Sequence, residues 1–573
     1  MLKNWEIKSK NLDGITTDLQ KYPKFLASLL SNRGLLNAED INLFLAPEYS
    51  KLNSPFLFND MQKAVDRIWQ AIENKEVIYI YGDYDADAVT ANAVLQQTFK
   101  YLGVEVNSYI PDRFAEGYGI NLEALAKIKE QGCSVLITVD CGTNAIDAGE
   151  FCKNNDIDFI ITDHHEVIGE LPEAFAVINP KNRKDKYPYE NIVGVGVAFK
   201  LACGILSSEK CKEKSQKYVE GYEKWLLDLV AIGTVADCHS LVGENRILVK
   251  YGLKVLQKTK WVGLRALMEV ANIDFVKKPA DTHTLGFVIA PRLNAAGRLE
   301  HADTALHLLM ENDPGRALER ANVLEEINKR RQDQTLRIVS EAKDQAMSIL
   351  DRKILILSNE NWSKGIVGLV AGRLVEEFKK PVIVLEKGES ESTGSARTIG
   401  NFDVVESLKH ASEYLVRFGG HKQAAGLTLK TENFEKFYEK ILEFAETNLN
   451  PDDLIPKLLL EAELESADLT VDTYNLLLLL EPFGVDNVKP KFLVNGLEVV
   501  SIRQVGQKKQ HAQLVLSVAG KSIPSIAFSF NALEKNIKVG DTIDVAVELM
   551  VDNWNGRNEF KMRLVDFKHQ VNR

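Results

Sequence analysis

The sequence predicts an open α/β domain built on a parallel sheet, then a long connector helix, a second α/β lobe and a small C-terminal β-barrel. Three observations lead there. In the first half, short β-branched apolar runs alternate with helix-like segments. A charged stretch from Asp313 to Leu350 keeps helical spacing of apolar residues with no proline after Pro314. In the C-terminal segment, apolar and polar residues alternate between turn signals. A chain of 573 residues is too long for one hydrophobic core and divides into several units.

Residues 1–50 are mixed in character. Lys24–Ser31 reads as a helix, and Asn37-Ala38-Glu39-Asp40 caps a second one at Ile41–Ala46; this extension is expected to pack on the first domain. That domain spans residues 51–312. Val77–Tyr81, Val135–Val139 and Phe159–Ile161 are short, β-branched and non-alternating, the pattern of strands buried on both faces of a parallel sheet. Ala88–Tyr101 and Leu122–Gln131 supply helices between them. The largely apolar Leu226–Val235 reads as one more strand.

Residues 313–350 form the connector, roughly 50 Å long at 1.5 Å per residue, and a connector of that length implies a cleft between two lobes. The second lobe, 351–454, starts with a strand at Lys353–Leu357, a helix at Gly365–Phe378 and a strand at Pro381–Leu385. Its glycine-rich pieces, GSART (394–398) and FGGHKQAAG (418–426), read as loops. They bring backbone N–H groups with Ser395, Arg397 and His421 to places where a phosphate could be held. In residues 455–573, alternation in Phe492–Ile502, Ala512–Val518, Ser522–Phe530, Thr542–Leu549 and Phe560–Phe567 predicts the barrel.

Composition narrows the class. With 45% hydrophobic and 26% charged residues the chain is ordinary globular material, and no apolar run reaches the length of a membrane span. The N-terminus lacks a signal-peptide core. Six cysteines without a CxxC pair point to a reducing cytoplasm. The net charge of −11 runs against nucleic-acid binding, but Lys491–Arg573 carries 12 basic against 8 acidic residues, and local distribution outweighs the sum.

The chemistry is written at the ends of the predicted strands. Asp83, Asp85 and Asp87 follow the first, Asp140 the second, and Asp163, His164 and His165 the third, while Asp237 is the first charge after Val235. In a parallel α/β sheet the carboxyl ends of the strands gather ligands, so these groups should converge. Five or six converging carboxylates repel one another unless cations lie between them. Carboxylates with imidazole and no thiolate pattern suit two divalent cations, Mn2+ or Mg2+. Such a pair serves the hydrolysis of a phosphate ester or anhydride.

The ordered set GDYDAD (82–87), VDCG (139–142), TDHH (162–165) and GTVAD (233–237) resembles the DHH phosphoesterases. IPDRFAEGYG (110–119), APRLNAAGRL (290–299), GIVGLVAGRL (365–374), GSART and FGGHKQAAG narrow the likeness to the RecJ family over roughly residues 50–570. The resemblance implies a DHH catalytic domain, a DHH-associated domain that grips substrate and a C-terminal OB-fold. It implies a single-strand-specific 5′ to 3′ exonuclease of DNA recombination and repair that releases 5′-mononucleotides. Carried over by position, Asp85, Asp87, Asp140, His164 and Asp237 would be metal ligands and Asp140 the bridge. Asp83 and His165 would be neighbours of the ions, as ligands or phosphate contacts. Arg113, Arg292, Arg298, Ser395, Arg397 and His421 would hold the strand. In the barrel Phe528, Phe530, Trp554, Arg503, Lys508, Lys509 and Arg557 are the candidates, with Trp554 in a turn the first choice for exposure. Single-stranded DNA, a single-strand-binding protein and a helicase are the implied partners of a monomer.

Four departures from the family pattern stand out: Tyr81 where some relatives carry histidine, Ala88 where glycine is usual, Ser363 where many relatives show histidine, and EPFGVDN (481–487), where PFG is usually followed by a glycine-rich turn. His239, His283, His301 and His307 carry no motif and read as structural. Two other functions compete. A small-substrate phosphoesterase of the same superfamily would cut short oligonucleotides or bisphosphorylated nucleosides, but such relatives lack the barrel. A DNA-binding scaffold that had lost catalysis would have lost motif carboxylates, which this chain keeps.

Overall fold

Val77–Gly82, Asn107–Tyr109, Cys133–Val139, Asp158–Thr162 and Ala176–Ile178 form one all-parallel sheet in the order 107–109, 77–82, 133–139, 158–162, 176–178. The computed structural model describes residues 4–8, 16–117, 119–215, 218–450, 454–528, 537–552 and 558–570. The three central strands are nearly free of solvent because both faces are covered: Ile80, Val135, Ile137 and Ile160 pack into one core, Tyr81, Leu136, Phe159 and Ile161 into another. This is why their sequences do not alternate. Ala86–Tyr101 and Leu122–Glu130 are helices, as read from the spacing.

Leu226–Val235 is not a strand. It lies in a helix, Leu227–Ala236, and Asp237 follows its last turn. The run is apolar on every side because helices surround it, a situation in which composition cannot tell a buried helix from a buried strand. Asp228 within it is fully buried and accepts hydrogen bonds from the Trp261 indole (3.0 Å) and the Leu229 N–H (2.8 Å).

The helix Pro314–Met347 runs for 34 residues, N-capped by Asp313, which accepts from Arg316 N–H at 2.9 Å. Its N-terminal half buries Ala317, Ala321, Leu324 and Ile327 in the first domain's core; its C-terminal half buries Ile338, Val339, Ala342 and Ala346 with Leu355, Leu357 and Trp362 of the second lobe. That lobe has a five-stranded mixed sheet in the order 415–421, 424–430, 391–397, 382–387, 355–359. The glycine-rich pieces are therefore strands and not loops. GSART belongs to Glu391–Arg397, and FGGHKQAAG is the hairpin of Leu415–His421 with Ala424–Lys430. Nothing stands within 4 Å of a Cβ position at Gly419 and Gly426, whereas Gly394 and Gly420 are closely packed.

The C-terminal strands 492–505, 511–518, 521–527, 559–569 and 542–552 close on one another into a barrel, the last pairing back to the first. The N-terminal segment touches the first domain, where Arg246 donates to the Phe44 carbonyl, but it buries most of its apolar side chains against this barrel, which the expectation of packing on the first domain did not include. Leu19, Phe25, Leu26, Leu30, Ile41 and Phe44 share a core with Phe492, Val494, Val545 and Val547, and Asn4–Ile7 pairs with Lys457–Leu460. The helices Lys24–Ser31 and Ala38–Leu45 form as read, the latter capped by Asn37 accepting from Asp40 N–H. Nothing in the local pattern of residues 1–50 names the apolar face they cover. Among the described residues no helix is long and apolar enough to cross a membrane.

Candidate metal centre and strand-gripping cleft

Each acidic motif ends where a sheet strand or buried helix stops. Asp85 N-caps the helix Ala86–Tyr101, accepting from the N–H groups of Asp87 (2.9 Å) and Ala88 (3.1 Å), and Asp87 sits in its first turn, where the helix dipole favours negative charge. Asp87 Oδ1 also accepts the Val195 N–H at 2.9 Å. Asp140 follows its strand in the left-handed region (φ 58°), which turns its carboxylate toward the others. Asp163 accepts from Thr143 N–H, from the N–H groups of His164 and His165, and lies 2.7 Å from His165 Nδ1.

The convergence is tight. His164 Nε2 lies 3.0 Å from Asp140 Oδ1, 3.8 Å from Asp237 Oδ2 and 3.9 Å from Asp87 Oδ2. Asp83 Oδ1, Asp87 Oδ2 and Asp140 Oδ1 are buried and have no hydrogen-bond partner among the described residues. Buried carboxylate oxygens left in this state are costly unless a cation takes them up. Two donor sets stand out, Asp140 with His164 and His165, and His164 with Asp237 and His239.

Electrostatics says the same. Burial raises Asp87 and Asp140 well above the usual carboxylate range, with Asp237 and Asp87 respectively the next cause. Burial and Asp85 push Asp83 up to about 8 and Asp237 up to about 7. Burial and His165 press His164 down to about 3, which keeps its imidazole neutral and able to ligate. Asp163 and His165 go the other way. Burial opposes both shifts, but their mutual hydrogen bond and attraction hold the Asp163 carboxyl low and His165 raised.

A cavity of about 1030 Å³ runs from this centre to the second lobe, with Tyr84, Arg113, Asp163 and His165 on one side and Ser395 and His421 on the other. Arg113 stacks on Tyr84 at 4.8 Å, and Lys364 of the second lobe lies over Phe114 at 5.0 Å. Arg298 and Arg397 stand close by. Burial, then Arg113, lowers the Arg298 guanidinium to about 10, with Arg331 and Arg397 adding to the repulsion; it donates a long hydrogen bond (3.4 Å) to the Gly365 carbonyl. Such a gathering of guanidinium groups suits an anion.

Other sequence candidates lie elsewhere. Arg292 is engaged by Glu325 at 2.6 Å and the Val288 carbonyl. Phe528 is 49% exposed beside Arg563 and His511, and Arg503, Lys508 and Lys509 are exposed on the barrel. Trp554, Phe530 and Arg557 fall outside the described residues. Tyr81 turns away from the carboxylates: it is buried against Tyr109, donates to the Gly119 carbonyl and accepts from Asn121 N–H. Ala88 sits in the helix turn that Asp85 caps, and the Ser363 carbonyl accepts from Ile366 and Val367 N–H.

Sequence reasoning missed four contributors. His239, read as structural, places Nε2 3.1 Å from His164 Nδ1. Gly194 and Gly233 leave room for the carboxylates: a Cβ at 194 would lie 2.6 Å from Asp87 Oδ2 and 2.7 Å from Asp140 Oδ1, and one at 233 would lie 2.8 Å from Asp87 Oδ1. Asn294 accepts from Ala86 N–H at 2.9 Å, tying APRLNAAGRL to the aspartate helix. Gly233 lies inside GTVAD and Asn294 inside APRLNAAGRL, the signal the sequence held for these two.

A parallel sheet bearing this carboxylate and histidine centre, facing a second lobe across a cleft, defines a phosphoesterase of the DHH class. The DHH family N-terminal domain model matches residues 77–234, the DHHA1 domain 351–447 and the RecJ OB domain 460–566. The single-stranded-DNA-specific exonuclease RecJ of Bacillus subtilis is 38% identical over 98% of this chain and 70% of its own; that of Escherichia coli is 30% identical over 98% and 99%. The crystal structure of RecJ from Thermus thermophilus in complex with Mn2+ covers 99% of this chain and 80% of its own at 27% identity, with a TM-score of 0.82. Its Mg2+ complex gives 0.75 at 26% identity, over 99% and 79%. The chain belongs to the RecJ family.

Proposed function

We propose that the protein is a divalent-metal-dependent exonuclease that degrades single-stranded DNA from the 5′ end to 5′-mononucleotides, in DNA recombination and repair. One observation carries this reading. Buried, unpartnered carboxylate oxygens surround a neutral imidazole at one end of a cavity whose surroundings hold Arg113, Arg298 and Arg397. The likeness to RecJ proteins over nearly the whole chain supports it.

Asp85, Asp87, Asp140, His164 and Asp237, with Asp83 beside them, would hold two cations. When bound, these neutralise the carboxylates, polarise the phosphoryl oxygen and lower the pKa of water. The rest falls to the chain. Asp163 holds His165 through Nδ1 at 2.7 Å, which fixes the imidazole at the wall of the cavity, where it would meet a phosphate oxygen. Arg113, Arg298, Ser395 and Arg397 grip the terminal phosphate and set which phosphodiester meets the carboxylates, so that orientation rather than a mobile group selects the bond. The entrance near Arg113 and Arg298 admits one strand, and the barrel follows the downstream strand through Arg503, Lys508, Lys509 and Phe528. A need for a single strand fits action beside a helicase and a single-strand-binding protein.

The test offers the purified protein a long single strand labelled at its 5′ or 3′ end, a blunt duplex and a dinucleotide, with Mn2+ and then with EDTA. Immediate release of labelled mononucleotide from the 5′ end of the single strand, stopped by EDTA, is the expected result. Fast dinucleotide cleavage with an intact long strand would move the protein to the small-substrate branch, and digestion of the blunt duplex would remove the single-strand gate.

A further inference from the structure

His164 can ligate a cation through Nε2 only if that atom carries no proton. Nε2 is the atom that faces Asp140, Asp237 and Asp87. The imidazole proton must then sit on Nδ1, and Nδ1 lies 3.1 Å from His239 Nε2. We propose that His239 is a positioning residue for the metal centre: its Nε2 accepts the His164 Nδ1 proton, which fixes both the tautomer and the ring plane of His164. The inference rests on reading the carboxylate cluster as a metal site.

His239 is built to stay where it is. Cys238 before it takes the left-handed conformation (φ 55°) and donates its N–H to the Val235 carbonyl, while His239 N–H reaches the Thr234 carbonyl at 3.3 Å. On the other side, the Ser240 carbonyl accepts from Asn245 Nδ2 at 3.1 Å. Leu241 N–H donates to the Val485 carbonyl at 2.9 Å, and a Cβ on Gly484 would come within 2.5 Å of Leu241 Cδ1. The segment that leads into the barrel thus lies directly against the loop that carries His239. Around the ring, besides His164 and Asp237, stand Lys181, Asp486 and His165.

His239 also belongs to a donor set with His164 and Asp237, so direct ligation is the competing arrangement. Ligation through Nε2 would take the lone pair that faces His164 Nδ1. One atom cannot serve both.

The test titrates the metal-free protein with Mn2+ by calorimetry and by thermal unfolding, without DNA, for the parent, H239A, H239Q and D140N. In H239A the affinity should fall about ten- to hundred-fold with the metal-free unfolding midpoint kept. H239Q, whose Oε1 can accept the same proton, should recover most of the loss. Histidine 15N spectra of the Mg2+-loaded protein should show His164 protonated at Nδ1 in the parent and a mixture of tautomers in H239A. An H239A protein that binds like the parent while D140N loses binding would overturn the role of His239 and leave the metal site standing. Equal losses in H239A and H239Q would mark His239 as a ligand and overturn the positioning role. D140N binding like the parent would overturn the metal reading itself.

Discussion

Asp87 Oδ1 accepts the Val195 N–H at 2.9 Å, which ties the first acidic motif to the first turn of the helix Gly194–Ser207, more than a hundred residues away in the chain. The approach is close because residue 194 has no side chain: a Cβ there would sit 2.6 Å from Asp87 Oδ2 and 2.7 Å from Asp140 Oδ1. Gly194→Ala should therefore push both carboxylates apart and lower Mn2+-dependent DNA hydrolysis by about a hundredfold or more, the cost of an ångström-scale misplacement. Single-strand digestion, with circular dichroism to confirm folding, checks it.

Cation removal should expose the repulsion stored in the centre. Asp83 is raised to about 8 and Asp237 to about 7 from an ordinary 3.8. A carboxyl whose folded pKa exceeds its unfolded one stabilises the fold while protonated. That contribution is complete below about pH 4 and disappears as pH rises through 7 to 8. In EDTA, the unfolding midpoint should fall between pH 5.5 and 8.5, and the gain on adding Mn2+ should grow over the same range. Asp87→Asn should raise the EDTA midpoint at pH 8 and shrink the Mn2+ gain.

Arg298 sits among Arg113, Arg331 and Arg397 with one long hydrogen bond to a carbonyl. A terminal phosphate would relieve that repulsion through charge-assisted bonds worth about 1.5–3 kcal/mol each. Arg298→Ala should raise KM for a 5′-phosphorylated strand roughly ten- to hundred-fold, and much less for a 5′-hydroxyl strand. Steady-state kinetics on the two substrates separates end recognition from general attraction to DNA.

Arg246 is buried over the Phe44 ring at 3.8 Å and donates to the carbonyls of Phe44 (2.9 Å), Leu480 (2.9 Å) and Glu481 (2.8 Å). It joins the first domain to both the N-terminal helices and the segment leading to the barrel. Arg246→Leu leaves several buried carbonyls without a donor and should cost about 3 kcal/mol or more, seen in urea unfolding as earlier release of the barrel.

Gly372 is the opposite kind of glycine. It lies within the helix Val367–Phe378, and nothing stands within 4 Å of where its Cβ would be. Gly372→Ala should stabilise the second lobe by about 0.5–1 kcal/mol and leave nuclease activity unchanged, as a thermal melt and a digestion assay will show.

The sequence by itself determined the parallel sheet and the placing of acids at its strand ends. Apolar runs such as Val135–Val139 carry their burial in composition, and a charge directly after them has one place to go. It determined the connector, because 34 residues of helical spacing need no partner to be recognised, and the barrel, because period-two alternation is local. Tertiary structure alone decided the rest. Leu227–Ala236 is a helix because its neighbours are helices, a fact absent from its own ten residues. The N-terminal segment chose the barrel because that is where a matching apolar face remained. His239, Gly194 and Asn294 entered the site through contacts made across the fold, and a residue whose role is to touch something distant in the chain leaves no period, cap or spacing in its own neighbourhood by which to be found.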